Sequence, residues 1–208
     1  LLSPDRPYIC IGYHQELEKE VDLDFCQRES LPITRREVGG GTVYLDSNQV
    51  FTHFIFHRTR VPRSVEEVYQ LFCRPTVEAY QSLGVAAYHR PVNDIQVAGR
   101  KIGGTGAALI GEAMVMAGSL MFDFNTQMMA QAIKVSSEKM RDKIFESLQD
   151  YMTTLRRELG TAPDRETVKG LFIRKSEEVL GVEVAPGELT AKEWALAEEM
   201  DRRLGSWE

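Results

Sequence analysis

The sequence predicts a mixed α/β fold, a largely antiparallel sheet flanked by helices. Up to Asn125, runs rich in β-branched and aromatic residues are separated by turn formers, the pattern of strands and hairpins. One well-capped helical stretch interrupts them near the middle, and beyond Thr126 the apolar residues recur at helical spacing. One domain is expected over residues 1–208, with a helical rear covering about 126–208.

PYICIGY opens the strand pattern, and VFTHFIF follows after turn formers at Ser47 and Asn48. Ser64 with Glu67 forms a capping box, Val65, Val68, Leu71 and Phe72 give the helix an apolar face, and Gly84 follows its end. Pro75 lies inside this pattern and is expected to kink or divide it. NDIQV then reads as a strand, Ala98 and Gly99 as a turn, and RKIGG as the return. AALIGEAMVMAGSLMFDF continues the sheet with a second turn near Gly111 and Glu112. One helix is expected from Ser137 to Leu159, with Met140, Ile144, Leu148, Tyr151, Met152, Leu155 and Leu159 on one face. Two more begin after Asp164 and at Thr190, where Glu193 completes a capping box. Trp194 and the Met140 to Leu159 stripe read as core or interface packing.

The 208 residues carry a net charge of −6, which argues against a dominant nucleic-acid surface. No apolar run approaches the roughly 20 residues a membrane helix needs. The opening LLSPDRPYIC lacks the basic region and apolar stretch of a signal peptide, and its abrupt start is compatible with an upstream segment outside the sequence. Cys10, Cys26 and Cys73 are odd in number and fit no CxxC or zinc spacing, so reduced, inert thiols in a cytoplasmic protein are expected.

Two glycine stretches carry the chemistry. Gly39, Gly40 and Gly41 follow Arg35 and Arg36. Backbone N–H groups without side chains can close around an anion, and a guanidinium beside them pairs with phosphate or carboxylate. Taken alone, a tight strand crossover is the commoner use of such glycines. Neither GxxxxGK[ST] nor a GxGxxG opening a helix is present. In the second stretch, Asn93 and Asp94 precede a strand, and Lys101 leads into Gly103, Gly104, Thr105 and Gly106, read as a second glycine loop. A lysine ammonium suits the meeting of a carboxylate with an α-phosphate, and a solvated hairpin lysine fits the same segment. His53 and His57 share one side of a strand with no third metal ligand evident. Met114, Met116, Met121, Met128 and Met129 suit core filling or the lining of an apolar acyl pocket.

RRxxGGGxVxxD at Arg35 to Asp46, followed by NDIxVxGxKIxG at Asn93 to Gly104, closely resembles lipoate protein ligases of the biotin and lipoate ligase superfamily. AGSLMFDFN resembles the strand that closes that family's site, and the terminal LGSWE resembles the junction to an accessory domain. The likeness covers most of residues 7–125 and implies the biotin/lipoate ligase catalytic-domain fold. It implies ATP and Mg²⁺ as cofactors, lipoate as substrate and a lipoyl-adenylate intermediate. By position, Arg36 would contact the activated acyl phosphate, Gly39, Gly40 and Gly41 would cover the adenylate, and the backbone of Thr42, Val43 and Tyr44 would lie against adenine. Lys101 would be catalytic, touching the acyl carbonyl and α-phosphate. Asn93 and Asp94 would help bind phosphate or Mg²⁺, Gly104, Thr105, Gly106 and Ala107 would line the acyl end, and Gly118 the ribose side.

The resemblance also implies a partner, a lipoyl acceptor protein: an H-protein-like protein, a dehydrogenase subunit or a lipoate-binding protein of sulfur oxidation. The accessory domain is expected to be absent, to lie beyond the chain end or to be a separate small subunit. Departures at Val38, Leu45 and Ala117, and the helix from Ser137, mark a divergent branch. Octanoyl and lipoyl transferases of the superfamily use a cysteine after the lysine motif, and none occurs there, which favours a ligase. RREVGGG in place of a GRGRxxR-like loop disfavours a biotin ligase. A weak or non-catalytic lipoate or acyl-adenylate binding protein is the alternative of another class.

Overall fold

The structure, a computed structural model, describes residues 1–204. All of LGSWE beyond Leu204, read above as a domain junction, lies outside the described residues. The chain runs β1 (Tyr8–Ile11), α1 (Leu17–Glu20), α2 (Leu23–Arg28), β2 (Ile33–Arg35), β3 (Val43–Leu45), β4 (Gln49–His57), α3 (Val65–Ser82) and β5 (Ala87–Arg90). It continues with β6 (Asp94–Val97), β7 (Arg100–Ile110), β8 (Ala113–Met121), α4 (Thr126–Ala132), α5 (Glu138–Tyr151), α6 (Leu155–Leu159), α7 (Arg165–Leu180) and α8 (Ala191–Leu204).

The strands form two sheets: a five-stranded antiparallel one ordered β4-β8-β7-β6-β5, and a smaller one ordered β2-β1-β3 with β1 and β2 parallel. Residues directly opposite one another in an antiparallel pair share a face. Register therefore sets Phe54 and Phe56 of β4 beside Met116 and Met114 of β8, and Ala107 of β7 beside Met116. This face is covered by α3 and α7: the Phe54 ring stands 5.1 Å from Phe72 and 5.7 Å from Phe172. Each such ring pair adds about 0.5–1.5 kcal/mol beyond its buried area. Met114 and Met116 are core filling here, and Met129 fills a second core with Ile9 and Tyr44 under the small sheet.

The Ser64 half of the expected capping box is formed, its hydroxyl accepting from Glu67 N at 3.1 Å. Pro75 does not divide the helix; α3 runs unbroken through it. Proline removes a single backbone donor, and the Pro75 ring is itself buried with its neighbours Phe72 and Thr76, so packing outweighs the lost bond. The expected helix Ser137–Leu159 is instead two, α5 and α6. The break has a tertiary cause: Met152 pairs with Lys101 of β7 as a parallel bridge, and Thr153 N donates to the Lys101 carbonyl at 2.8 Å. Thr154 then caps α6 through Arg157 N.

Gly103 to Gly106 form no loop, because β7 is one continuous strand from Arg100 to Ile110. The stripe read as packing is only partly so: Leu155 is fully buried, whereas Met140, Tyr151 and Trp194 are exposed. Helices α1 and α2 and strand β5 carry too few residues for periodicity to reveal them.

Candidate functional site

Lys101 and Asp94, read from the sequence as site residues, lie on the sheet face away from α3 and α7. A bulge between Ile95 and Gln96 shifts the β6–β7 register, so that Asp94 lies opposite Gly104 and Gln96 opposite Lys101. The Lys101 side chain lies over Gly104, where an added Cβ would come 3.1 Å from its Cε and Nζ. Lys101 Nζ meets Asp94 Oδ1 at 2.6 Å, and Tyr151 from the end of α5 donates its hydroxyl to Asp94 Oδ2 at 2.7 Å. Burial opposes ionisation of Asp94. The hydrogen bonds from Lys101 and Tyr151 and the charges of Lys101 and Arg90 outweigh it and hold the carboxyl below its usual range.

Gly106, two residues along the same strand face and so about 7 Å further on, is covered by the first glycine segment. A Cβ there would come 2.5 Å from Val38 Cγ1. Gly39–Gly41 thus form a flap whose root rests on β7. The two arginines before it divide the work of shaping it. Arg35 Nη1 donates to the carbonyls of Gly12, Tyr13 and Gln15 at 3.0, 3.0 and 2.6 Å, fixing the turn after β1. Arg36 Nη2 donates to Gly41 O at 2.7 Å and Gly39 O at 3.2 Å, and its Nη1 to Cys10 O at 3.2 Å. Arg36 therefore holds the flap by its carbonyls.

The remaining predicted residues are placed as follows. Thr42 lies beside Gln15 (3.3 Å between Oγ1 and Oε1), and Val43 and Tyr44 run in β3, where Tyr44 is buried. Asn93 is tied to Thr105 three times: its Nδ2 donates to Thr105 O at 2.9 Å, and its carbonyl accepts from both the N and the Oγ1 of Thr105 at 2.9 Å. Thr105 and Ala107 face the helices, Thr105 Oγ1 lying 3.6 Å from Cys73 Sγ. The Cβ direction of Gly118 is also toward that side, 3.0 Å from Thr52 Oγ1. Lys101, Asp94, Gly104 and Gly106 are thus brought together with the Gly39–Gly41 flap on one face, while Asn93, Thr105, Ala107 and Gly118 shape the sheet beneath.

Residues 1–177 match the model of the lipoyl protein ligase A/B catalytic domain. The chain belongs to this family. It is 29% identical over 207 residues to lipoate–protein ligase 1 of Staphylococcus aureus, an alignment covering 98% of the chain and 61% of that relative. It is 24% identical over 207 residues to octanoyltransferase LipM of Oceanobacillus iheyensis, covering 91% and 76%. Among solved structures, the bi-partite lipoate protein ligase of Thermoplasma acidophilum, studied with its E2 lipoyl domain, superposes with a TM-score of 0.89 at 25% identity, covering 98% of this chain and 79% of that one. The chain thus has the lipoate ligase catalytic-domain fold, and it spans about three-fifths of the Staphylococcus ligase.

Within this lipoyl ligase A/B domain the three cysteines are all buried. Burial pushes the Cys73 thiol up to about 11 against a hydrogen bond from Thr105. Burial likewise raises Cys10, more than its contacts with Arg36 lower it, and raises Cys26, helped by the charge of Asp22. Cys73 sits on the helix-covered face, away from Lys101. Among the described residues no group of three or more His, Cys, Asp or Glu converges as a metal site. His57 lies on β4 beside Thr59 and Glu112. No helix of the described residues is long and apolar enough to cross a membrane.

Sequence reasoning missed four residues of the site. Gly12 is required because a Cβ would come 1.9 Å from the Gly40 carbonyl oxygen, and Gln15 Oε1 accepts from Gly12 N at 2.8 Å. Their signal was local, a glycine directly after the first strand. Gln96 and Tyr151 carry none, since cross-strand register and the break after α5 bring them to Lys101.

Proposed function

We propose that this lipoyl ligase A/B family member is an ATP-dependent lipoate protein ligase. In this reading it joins lipoate to AMP and then passes the lipoyl group to a lysine of an acceptor domain. The observation that carries the reading is the Lys101–Asp94 pair on an open strand face, next to a glycine flap tied down by Arg36.

In the first step a lipoate carboxylate oxygen bonds to the α-phosphorus of ATP and pyrophosphate leaves. Two anions must meet, and Lys101 supplies the positive charge between them. The Gly39–Gly41 N–H groups and Arg36 cover the mixed anhydride and keep water from it. The backbone of Thr42, Val43 and Tyr44 borders the adenine side. In the second step the acceptor lysine's neutral amine bonds to the acyl carbon, AMP leaves with the bonding pair, the nitrogen gives up one proton to water, and Lys101 steadies the negative charge on the acyl oxygen. One carboxylate with substrate phosphates is a usual magnesium environment, and Asp94 would be the protein ligand, each oxygen keeping a lone pair beyond its bond to Lys101 or Tyr151. Mg²⁺ held there would offset phosphate charge.

A transferase of the octanoyltransferase kind needs a nucleophilic thiol. All three thiols here are buried with raised pKa values, which supports the ligase. The test is mass spectrometry of a lipoyl acceptor domain incubated with the protein, ATP, Mg²⁺ and lipoate, with octanoate, biotin and an octanoyl carrier protein in parallel. A lipoyl mass increase that needs ATP and is lost in Lys101→Ala supports the ligase. Lipoyl-AMP without transfer points to a missing accessory subunit or acceptor, and ATP-independent octanoyl transfer overturns the ligase in favour of the transferase.

A further inference from the structure

We propose that Tyr151 is a positioning residue for Lys101, acting through Asp94. The inference rests on the reading of Lys101 as the reacting lysine. The carboxylate of Asp94 is held from both sides: Tyr151 Oη donates to Oδ2 at 2.7 Å, and Oδ1 takes Lys101 Nζ at 2.6 Å. A carboxylate fixed at one oxygen offers the other in a defined direction, so the tyrosine sets where the ammonium rests.

The backbone delivers Tyr151 to this place. Lys101 pairs with Gln96 on the β6 side of β7, and β8 pairs only with Thr105–Ile110 on the other. In the gap beside Lys101 lie Met152, paired to it as a bridge, and Thr153, whose N–H donates to the Lys101 carbonyl. The residue just before this clip is Tyr151. One segment therefore fixes both the main chain of Lys101 and, through Asp94, its side chain.

Gln96 extends the network. It is 2% exposed, lies opposite Lys101, and its Oε1 accepts from Tyr88 Oη at 3.1 Å, while its Nε2 has no hydrogen-bond partner. The hydrogen bond to Asp94 is the main cause that raises the Tyr151 pKa, which keeps its hydroxyl protonated as the donor.

Tyr151 is 39% exposed, so Tyr151→Phe keeps the ring and removes only the hydroxyl. Competitive labelling with acetic anhydride, read by mass spectrometry, reports the freedom of the Lys101 amine against the exposed Lys139 and Lys192 as internal references. Losing a hydrogen bond to a charged group should make Lys101 label about 5–10-fold faster in Y151F with the references unchanged. D94N should give at least the same increase, and Y151F/D94N no more than D94N. In lipoyl-AMP formation Y151F should lower kcat about 5–10-fold and leave KM for ATP within about two-fold, the mark of altered positioning and not of lost binding. Unchanged Lys101 labelling in Y151F, or additive effects in the double variant, overturns the proposal. Should the parent form no adenylate, the ligase reading falls, while the labelling still decides the role of Tyr151.

Discussion

Lys101 and Asp94 meet at 2.6 Å across β6 and β7, next to the strand glycine that leaves room for the lysine to lie flat. The pair comes from one hairpin whose turn at Ala98 and Gly99 has positive φ at both residues, +48° and +81°. A type I′ turn matches the twist of its strands, and a bulge beside it sets which residues face the site.

Removing the amine should leave the fold and abolish the chemistry. Lys101→Ala is expected to lower lipoyl-AMP formation by about 10²–10³-fold, as when one preorganised donor to a developing charge is lost. Pyrophosphate exchange, with circular dichroism as the control for folding, measures it.

Asp94 gives the site an acid limit. Its carboxyl is held below the usual range in the folded protein, so the protonated form is favoured by unfolding. The stabilisation is present above the unfolded carboxylate value near 4 and disappears as the pH falls through the lower folded value. Thermal unfolding of the parent and D94N between pH 7 and pH 3 should converge only at the acid end; a constant difference across that range would exclude the linkage.

Gly106 and Val38 should behave as a coupled pair. Gly106→Ala places a methyl group 2.5 Å from Val38 Cγ1, so the flap root must shift. Adenylate formation should fall in G106A, and Val38→Ala in the same chain should restore much of it. Touching residues commonly show about 0.5–3 kcal/mol of coupling in such a cycle.

Arg36 is expected to matter through the flap. Arg36→Lys keeps the charge but loses the planar fork that reaches both Gly39 and Gly41 carbonyls. KM for ATP and lipoate should rise in R36K with the melting temperature little changed. A KM equal to that of the parent would remove Arg36 from the site.

Arg141 carries a prediction about stability. Buried between α4, α5 and the start of α2, it donates to the carbonyls of Ala130, Gln131 and Ile133 and pairs with Asp22 at 3.1 Å. Arg141→Ala strands Asp22 and the open end of α4, at a cost of about 3–5 kcal/mol. Urea unfolding should show a lower midpoint with an unchanged slope.

The sequence by itself determined the mixed α/β class, the long strands of the main sheet, the caps at Ser64 and Asp164, and the two motifs with Arg36 and Lys101. These are local matters: strand alternation, capping hydroxyls and turn glycines act within a few residues of themselves. Tertiary structure decided what local signals do not encode. It broke the helix expected from Ser137 to Leu159, because an edge position beside Lys101 offered backbone bonds to Met152 and Thr153. It kept α3 whole through Pro75, because burial there outweighs one missing donor. It made Gly103–Gly106 a strand and explained two of these glycines by what lies upon them, the Lys101 side chain over Gly104 and Val38 over Gly106. It also brought Tyr151, 57 residues from Asp94 in sequence, to within a hydrogen bond of it. No pattern in the chain records that distance, because it is set by the register between elements and not by the preference of any one of them.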